Sequence, residues 1–334
     1  MRQVYLGRSG LVVSELCLGT MTFGGRADRD TARAMVDRFL EAGGTFFDTA
    51  DVYQHGASEE LLGTILGKDR DAAVVATKAT MPMGEGPNDR SSSRRHLVRA
   101  LHDSLDRLGT DYVDLYQLHT WDPTTPLEET LSTLEDFVRA GKVLHVGVSN
   151  YLGWQLERAV RMQQAAGYER FVSLQPQYSL IERNIELETL PAARANGMGV
   201  LAWSPLAAGF LTGKYARGGD PSGKGRFARF VDDVPDAGWD TLEQLRAVAD
   251  EHGTRPATAA VAWIRSKPGV VPIVGATRPD HLDATLAAAD LDLSREAVDR
   301  LDEVSRPRSG YPWDFGSIPG RPPRHPAGVS TGSR

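Results

Sequence analysis

The sequence predicts a (β/α)8 barrel. Three observations carry this expectation: eight short apolar runs bounded by turn signals, a recurring interval between them, and helical periodicity in the stretches that separate them. The runs are 16–21 (LCLGTM), 45–51 (TFFDTAD), 73–79 (AVVATKA), 113–119 (VDLYQLH), 143–150 (VLHVGVSN), 172–178 (VSLQPQY), 199–206 (GVLAWSPL) and 270–277 (VVPIVGAT). Their starts lie 29, 28, 40, 30, 29, 27 and 71 residues apart. A strand, a helix and two short loops need about 30 residues, so most intervals hold one βα unit. Runs that are apolar nearly throughout suit strands covered on both faces, as in parallel sheets. Eight of them alternating with helices point to a closed barrel. An open doubly wound sheet would place GxGxxG after its first strand, and LCLGTMTFGG does not have that form.

The elements follow in order. Residues 2–13 read as a small hairpin around Arg8-Ser9-Gly10 that covers the barrel bottom. The first helix falls within 28–44, with Ala34, Phe39 and Leu40 near one face and a Gly43-Gly44 stop. The segment 91–109 starts at Ser91, carries Leu97, Leu101, Leu105 and Leu108 at helical spacing, and ends at Gly109. The segment 126–142 has Leu127, Leu131, Leu134 and Val138, with Gly141 just past the end. Segments 153–167 and 186–197 repeat the design. The 71-residue interval holds a long polar loop after strand seven (207–237), a helix at 239–252 and an extra helix at 257–266. Residues 1–305 form one expected barrel domain. The tail 306–334 is rich in Pro and Gly; it is expected to pack partly near the barrel mouth and to be disordered at its end.

Composition bounds the function. Hydrophobic residues make up 41% and charged residues 25% of 334, an ordinary soluble balance. With 38 basic and 44 acidic residues the net charge is −6, which argues against a nucleic-acid footprint or a polybasic membrane surface. Cys17 is the single cysteine, so neither an internal disulfide nor a cysteine metal cage is expected. The first residues lack the apolar run of a signal peptide, and no stretch nears 18 consecutive apolar residues. A cytoplasmic enzyme acting on a small molecule is the expectation; the sequence predicts no oligomeric state.

Barrel enzymes place chemistry at the C-terminal strand ends. Strand two ends at Asp48, with Tyr53 five residues later; strand three ends at Lys78 and strand four at His119. Asp48 and Lys78 fall on adjacent strands in an apolar setting, where a lone charge is very costly, so they are expected to pair. A phenol titrates near 10, and a neighbouring ammonium is expected to lower that value. Tyr53 is thus read as general acid, Lys78 as its tuning cation, Asp48 as the anchor of Lys78, and His119 as a hydrogen-bond partner of the reacting oxygen. Taken singly, each residue has a packing or salt-bridge explanation; Lys78 alone also fits a Schiff-base aldolase.

This constellation resembles the aldo-keto reductases. The resemblance spans about residues 3–305 and includes GRSGLVVSELCLGTMTFG, FFDTADVYQHGASEELLG, VVATK, DYVDLYQLHTWDP, GKVLHVGVSN, LQPQYSL, LAWSPLAAGFLTGKY and VPIVGATRPDHL. It implies an Asp-Tyr-Lys-His tetrad at Asp48, Tyr53, Lys78 and His119, a carbonyl substrate, NADPH as cofactor and no metal. It further implies nicotinamide-side contacts from Thr20, Met21, Asp48, Ser149, Asn150, Gln175 and Trp203. Ser204, Pro205, Leu206, Gly209, Leu211 and Lys214 match the pyrophosphate loop, and Gly275, Ala276, Thr277, Arg278 and His281 match the 2′-phosphate site. The last helix of that site departs from many relatives by carrying His281, Ala284 and Thr285. Phe23 and Trp121 are candidate substrate-pocket residues, and Phe227 and Phe230 candidate closing residues. Potassium-channel β subunits share the pattern, so a nicotinamide-binding regulatory module is the alternative; the short N-terminus, without an added partner-binding segment, favours the enzyme.

Overall fold

The computed structural model describes residues 1–220, 222 and 228–315. Strand β1 (Gln3–Tyr5) runs antiparallel to β2 (Val12–Ser14) in a two-stranded hairpin. Eight parallel strands follow: β3 (Cys17–Gly19), β4 (Phe46–Asp48), β5 (Val74–Ala79), β6 (Val113–Leu118), β7 (Val143–Ser149), β8 (Phe171–Gln175), β9 (Gly199–Ala202) and β10 (Val270–Val274). They close into a barrel because β10 pairs with both β9 and β3. Each apolar run supplies one strand.

The surrounding helices are α1 (Arg29–Glu41), α2 (Ala57–Leu66), α3 (Arg94–Leu108), α4 (Leu127–Arg139), α5 (Gly153–Ala166), α6 (Thr189–Ala195), α7 (Asp236–Glu251), α8 (Pro256–Arg265), α9 (Pro279–Leu286) and α10 (Arg295–Val304). Three details differ from the sequence reading. Helix α1 buries Ala32, Met35, Val36 and Phe39 rather than the face of Ala34 and Leu40, because that i, i+3, i+4, i+7 stripe meets the sheet. Helix α3 starts later than Ser91: Ser93 caps it by accepting the His96 N–H. Helices α2 and α10 are absent from the sequence reading; α2 follows a turn in which Gln54, His55 and Gly56 have φ of 50°, 53° and 93°.

Alternation along the strands divides the core in two. One set, with Leu18, Phe47, Val75, Tyr116 and Leu118, packs against the helices. The other, with Cys17, Phe46, Ala76, Leu115, Leu201 and Val271, fills the barrel and continues into Leu6 and Val13 of the hairpin. The hairpin thus plugs the N-terminal end. Gly199 permits the approach, since a Cβ there would lie 2.5 Å from Leu6 Cδ1 and 2.8 Å from the Gly7 nitrogen. Two residues above this dry floor, the same inward positions become Asp48, Lys78 and Gln117.

Candidate active site

The strand register brings the polar residues together. Phe47 pairs with Val75 and Lys78 with Gln117, so Asp48 and Lys78 rise from adjacent strands above Phe46 and Ala76. Lys78 is fully buried and spends all three of its donors. It donates to Asp48 Oδ2 at 2.7 Å, to the Thr49 carbonyl at 2.7 Å and to the Tyr53 hydroxyl at 3.3 Å. The other Asp48 oxygen accepts from Gln175 Nε2 at 2.8 Å and, more weakly, from Gln117 Nε2 at 3.5 Å. A buried ion pair survives only with its remaining hydrogen-bonding capacity filled, and here it is filled. His119 stands edge-on to Tyr53, ring centroids 5.8 Å apart. The four residues therefore converge.

Their electrostatics depart from the sequence reading at one point. Burial raises the Tyr53 phenol, and the Lys78 ammonium recovers only part of that rise, so Tyr53 stays above its ordinary value rather than below it. Burial alone would push the Lys78 ammonium down, but Asp48 and Tyr53 outweigh it and hold Lys78 protonated. Burial, reinforced by Lys78, pushes His119 down to about 3. The imidazole is neutral across physiological pH, and its Nδ1 is buried without a hydrogen-bond partner among the described residues.

Around this centre the strand ends form a linked rim. Ser149 Oγ donates to the Gln175 carbonyl at 2.7 Å. Asn150 Nδ2 donates to the His119 carbonyl and to Ser149 Oγ, each at 3.0 Å, and Asn150 Oδ1 accepts from Trp203 Nε1 at 3.1 Å. Asn150 and Ser204 sit in the left-handed region, with φ of 58° and 57°, the kind of local strain that tertiary packing sustains at functional sites. Thr20 is buried, its hydroxyl shared between the Asp48 carbonyl and Ser58 Oγ, whereas Met21 is exposed at the rim.

After β9, Pro205 and Leu211 are buried, and Ser204, Leu206 and Gly209 are half-buried. Leu211 belongs to the hydrophobic core and gives its N–H to the Leu206 carbonyl, so its side chain does not face the rim. Lys214 lies beside Gly209, and burial pushes its ammonium down. Beyond β10, Gly275 is exposed, Ala276 buried and Thr277 half-buried. Arg278 caps α9 and donates to Asp280 Oδ2 at 2.7 Å and to His281 Nε2 at 3.0 Å. Thr285 turns inward to the Leu282 carbonyl.

The two pocket candidates separate. Phe23 is fully buried in the core between sheet and helices, so it lines no open pocket; the turn after β3 folds it under, with the Phe23 N–H donating to the Thr20 carbonyl at 2.9 Å. Trp121 is half-buried and packs edge-on against Tyr151 and Trp154, at 5.2 and 5.6 Å between centroids. Phe230 is exposed, and Phe227 lies outside the described residues, as do residues 316–334.

Sequence reasoning missed Gln117 and Ser173. Ser173 Oγ donates to Gln117 Oε1 at 3.2 Å, directing that amide toward Asp48. Gln117 lies two residues before His119, and the period-2 rule alone would have placed it inside the barrel. Also missed was a polar group behind the β4 turn, comprising Asp51, Glu59, His96 and Arg107. Glu59 is fully buried and pairs with Arg107 at 2.7 Å.

Comparison with known proteins shows the family. The family model described as Aldo/keto reductase family matches residues 15–306. An uncharacterized oxidoreductase, YrpG, from Bacillus subtilis is 39% identical over 91% of this chain and 96% of its own length. A probable voltage-gated potassium channel subunit beta from Oryza sativa is 37% identical, covering 91% and 97%. The versiconal hemiacetal acetate reductase of Aspergillus parasiticus is 30% identical, covering 94% and 100%.

Proposed function

Because the chain belongs to the aldo/keto reductase family, we propose that it reduces an aldehyde or ketone to the alcohol, with NADPH as its cofactor. The observation that carries this reading is the Tyr53 hydroxyl at 3.3 Å from an ammonium that Asp48 holds in place. A raised phenol keeps its proton through neutral pH, as a general acid must. As that proton passes to the carbonyl oxygen, Lys78 stabilises the phenolate left behind. His119, neutral and set beside Tyr53, orients the same oxygen by hydrogen bonding.

The residues present fit a nicotinamide dinucleotide. Asn150 Oδ1 retains one lone pair, and among the described residues nothing donates to Gln175 Oε1, which leaves two amide acceptors for a primary carboxamide. Trp203 supplies a flat ring beside them. Lys214 offers the diphosphate a cation without a carboxylate partner among the described residues. Arg278 and His281, converging at the start of α9, suit a 2′-phosphate and favour NADPH over NADH. When bound, NADPH supplies the hydride that adds to the carbonyl carbon.

Stopped-flow oxidation of NADPH with nitrobenzaldehydes tests the proposal. Tyr53→Phe should lower turnover by roughly 100- to 10,000-fold while leaving NADPH binding nearly intact. Full activity in that variant would remove Tyr53 from the mechanism. Similarity to a channel β subunit supports a second reading, a regulatory module, which predicts very slow turnover with every carbonyl.

A further inference from the structure

Behind the Tyr53 turn lies a polar chamber that the reductase reading does not use. Beyond β4 the chain stays paired with β5: Thr49 N–H donates to the Ala76 carbonyl at 2.9 Å, and Asp51 N–H to the Lys78 carbonyl at 3.1 Å. A turn follows, closed by Tyr53 N–H on the Ala50 carbonyl at 3.1 Å. The Asp51 carboxyl supports that turn, with Oδ1 accepting the Val52 N–H at 2.6 Å. Asp51 is fully buried, and its Oδ2 has no partner among the described residues.

The side chain faces a cavity of about 320 Å³ lined also by Met83, Asp89, His96, Arg99, Asp103 and Arg107, with no member of the tetrad. His96 is 1% exposed; its ring approaches the Asn88 backbone, and neither ring nitrogen makes a well-formed hydrogen bond among the described residues. The Tyr116 hydroxyl of β6, whose charge environment includes Asp51, is buried and unpartnered among the described residues. Buried polar groups are rarely left unpaired, so Asp51 Oδ2 and the Tyr116 hydroxyl together mark a polar site rather than simple packing.

Every element packed on Asp51 contributes charge. Helix α2 brings Glu59; α3 brings His96, Arg99, Asp103 and Arg107; the loop after β5 brings Asp89; and Lys78 lies across the strand. Burial first, then the Glu59 carboxylate, raise Asp51 from 3.8 to about 7, against the pull of Val52 N–H, Arg107 and Lys78. An ionised carboxylate grips a backbone N–H about twice as strongly as a neutral acid does.

We infer that Asp51 is a positioning residue: its carboxyl, held in the chamber with His96, anchors the 50–53 turn, and loss of its proton tightens the grip that presents Tyr53 to Lys78. The inference rests on Tyr53 being the general acid. It requires no contact between Asp51 and substrate or cofactor, and it acts through two backbone links, Val52 N–H and the Lys78 carbonyl.

Two measurements test it, one independent of turnover. In protein labelled with 13C at tyrosine Cζ, with the Tyr53 signal assigned through Tyr53→Phe, the wild-type resonance should shift through a midpoint near pH 7, and Asp51→Asn should abolish the shift. A Tyr53 signal that is flat between pH 5.5 and 8.5 in the wild type overturns the inference, even if the variant does not fold. In single-turnover oxidation of NADPH by 4-nitrobenzaldehyde, the wild-type rate should rise roughly three- to tenfold from pH 6 to 8, and Asp51→Asn should stay near the low-pH rate. An unchanged pH profile in the variant also overturns it. A wild type that reduces no carbonyl sinks the reductase reading, while the tyrosine titration still decides the role of Asp51.

Discussion

Asp51→Asn should make the protein more stable, and increasingly so as pH rises. The carboxyl titrates at about 7 in the fold, against an ordinary value of 3.8. Between those values the folded protein holds a proton that the unfolded chain releases, so native stability falls as pH increases. The wild type carries none of this penalty below the lower value and all of it above the upper one. A gap of about three units at about 1.4 kcal/mol each gives a full cost on the order of 4 kcal/mol by pH 8, with less than half of it present at pH 5. Asparagine cannot ionise and keeps an oxygen for the Val52 N–H, so it escapes the cost. Unfolding entropy of roughly 2 cal/mol/K per residue over 334 residues converts 4 kcal/mol to about 6 °C in Tm. Thermal unfolding of both proteins at pH 5 and 8 is the assay, and the quantity read is the Tm difference at each pH. Other carboxylates titrate in both proteins and cancel. A difference that is the same at pH 5 and pH 8 would refute the reasoning, because loss of packing alone has no pH dependence.

Three further outcomes follow from the same geometry. Lys78→Met strands a buried Asp48 and should cost about 3–5 kcal/mol of stability; adding Asp48→Asn should recover much of it, and urea denaturation that shows no recovery would dissolve the pair as the source. A Cβ at Gly147 would lie 2.1 Å from Ser173 Oγ, so Gly147→Ala should lose about 1–3 kcal/mol and regain part of it with Ser173→Gly; equal stabilities in denaturant would contradict this. Arg278→Ala should weaken NADPH more than NADH, by roughly tenfold or more for a lost phosphate contact, and Asp280→Asn should strengthen NADPH by freeing Arg278. Fluorescence titration decides, and a parallel loss of both cofactors in Arg278→Ala would remove the phosphate role.

The register of apolar and polar residues was legible because it is local. FFD, VVATK and LYQLH each place an apolar residue on the barrel axis and a polar one two positions higher, which strand geometry alone converts into a dry floor beneath a charged layer. Glycine stops and interval lengths likewise follow from backbone preferences, and they marked the strands closely and the helix ends less so. Phe23 was misplaced because whether an aromatic lines a pocket or fills the core depends on what packs over it.

Sequence by itself determined that eight strands alternate with helices, that Asp48 and Lys78 end adjacent strands, and that Tyr53 follows within reach. Tertiary structure alone decided the energetics among them. A pairwise view has Lys78 lowering the Tyr53 phenol, but burial, which no neighbour in the chain reveals, raises it further than one shared ammonium can lower it. The same holds for Asp51 and His96, 45 residues apart in the chain, which line one cavity because α3 packs against α2 and β5 beside the turn that follows β4. Desolvation and partner count are sums over everything folded around a group, and they exist only once the chain has closed.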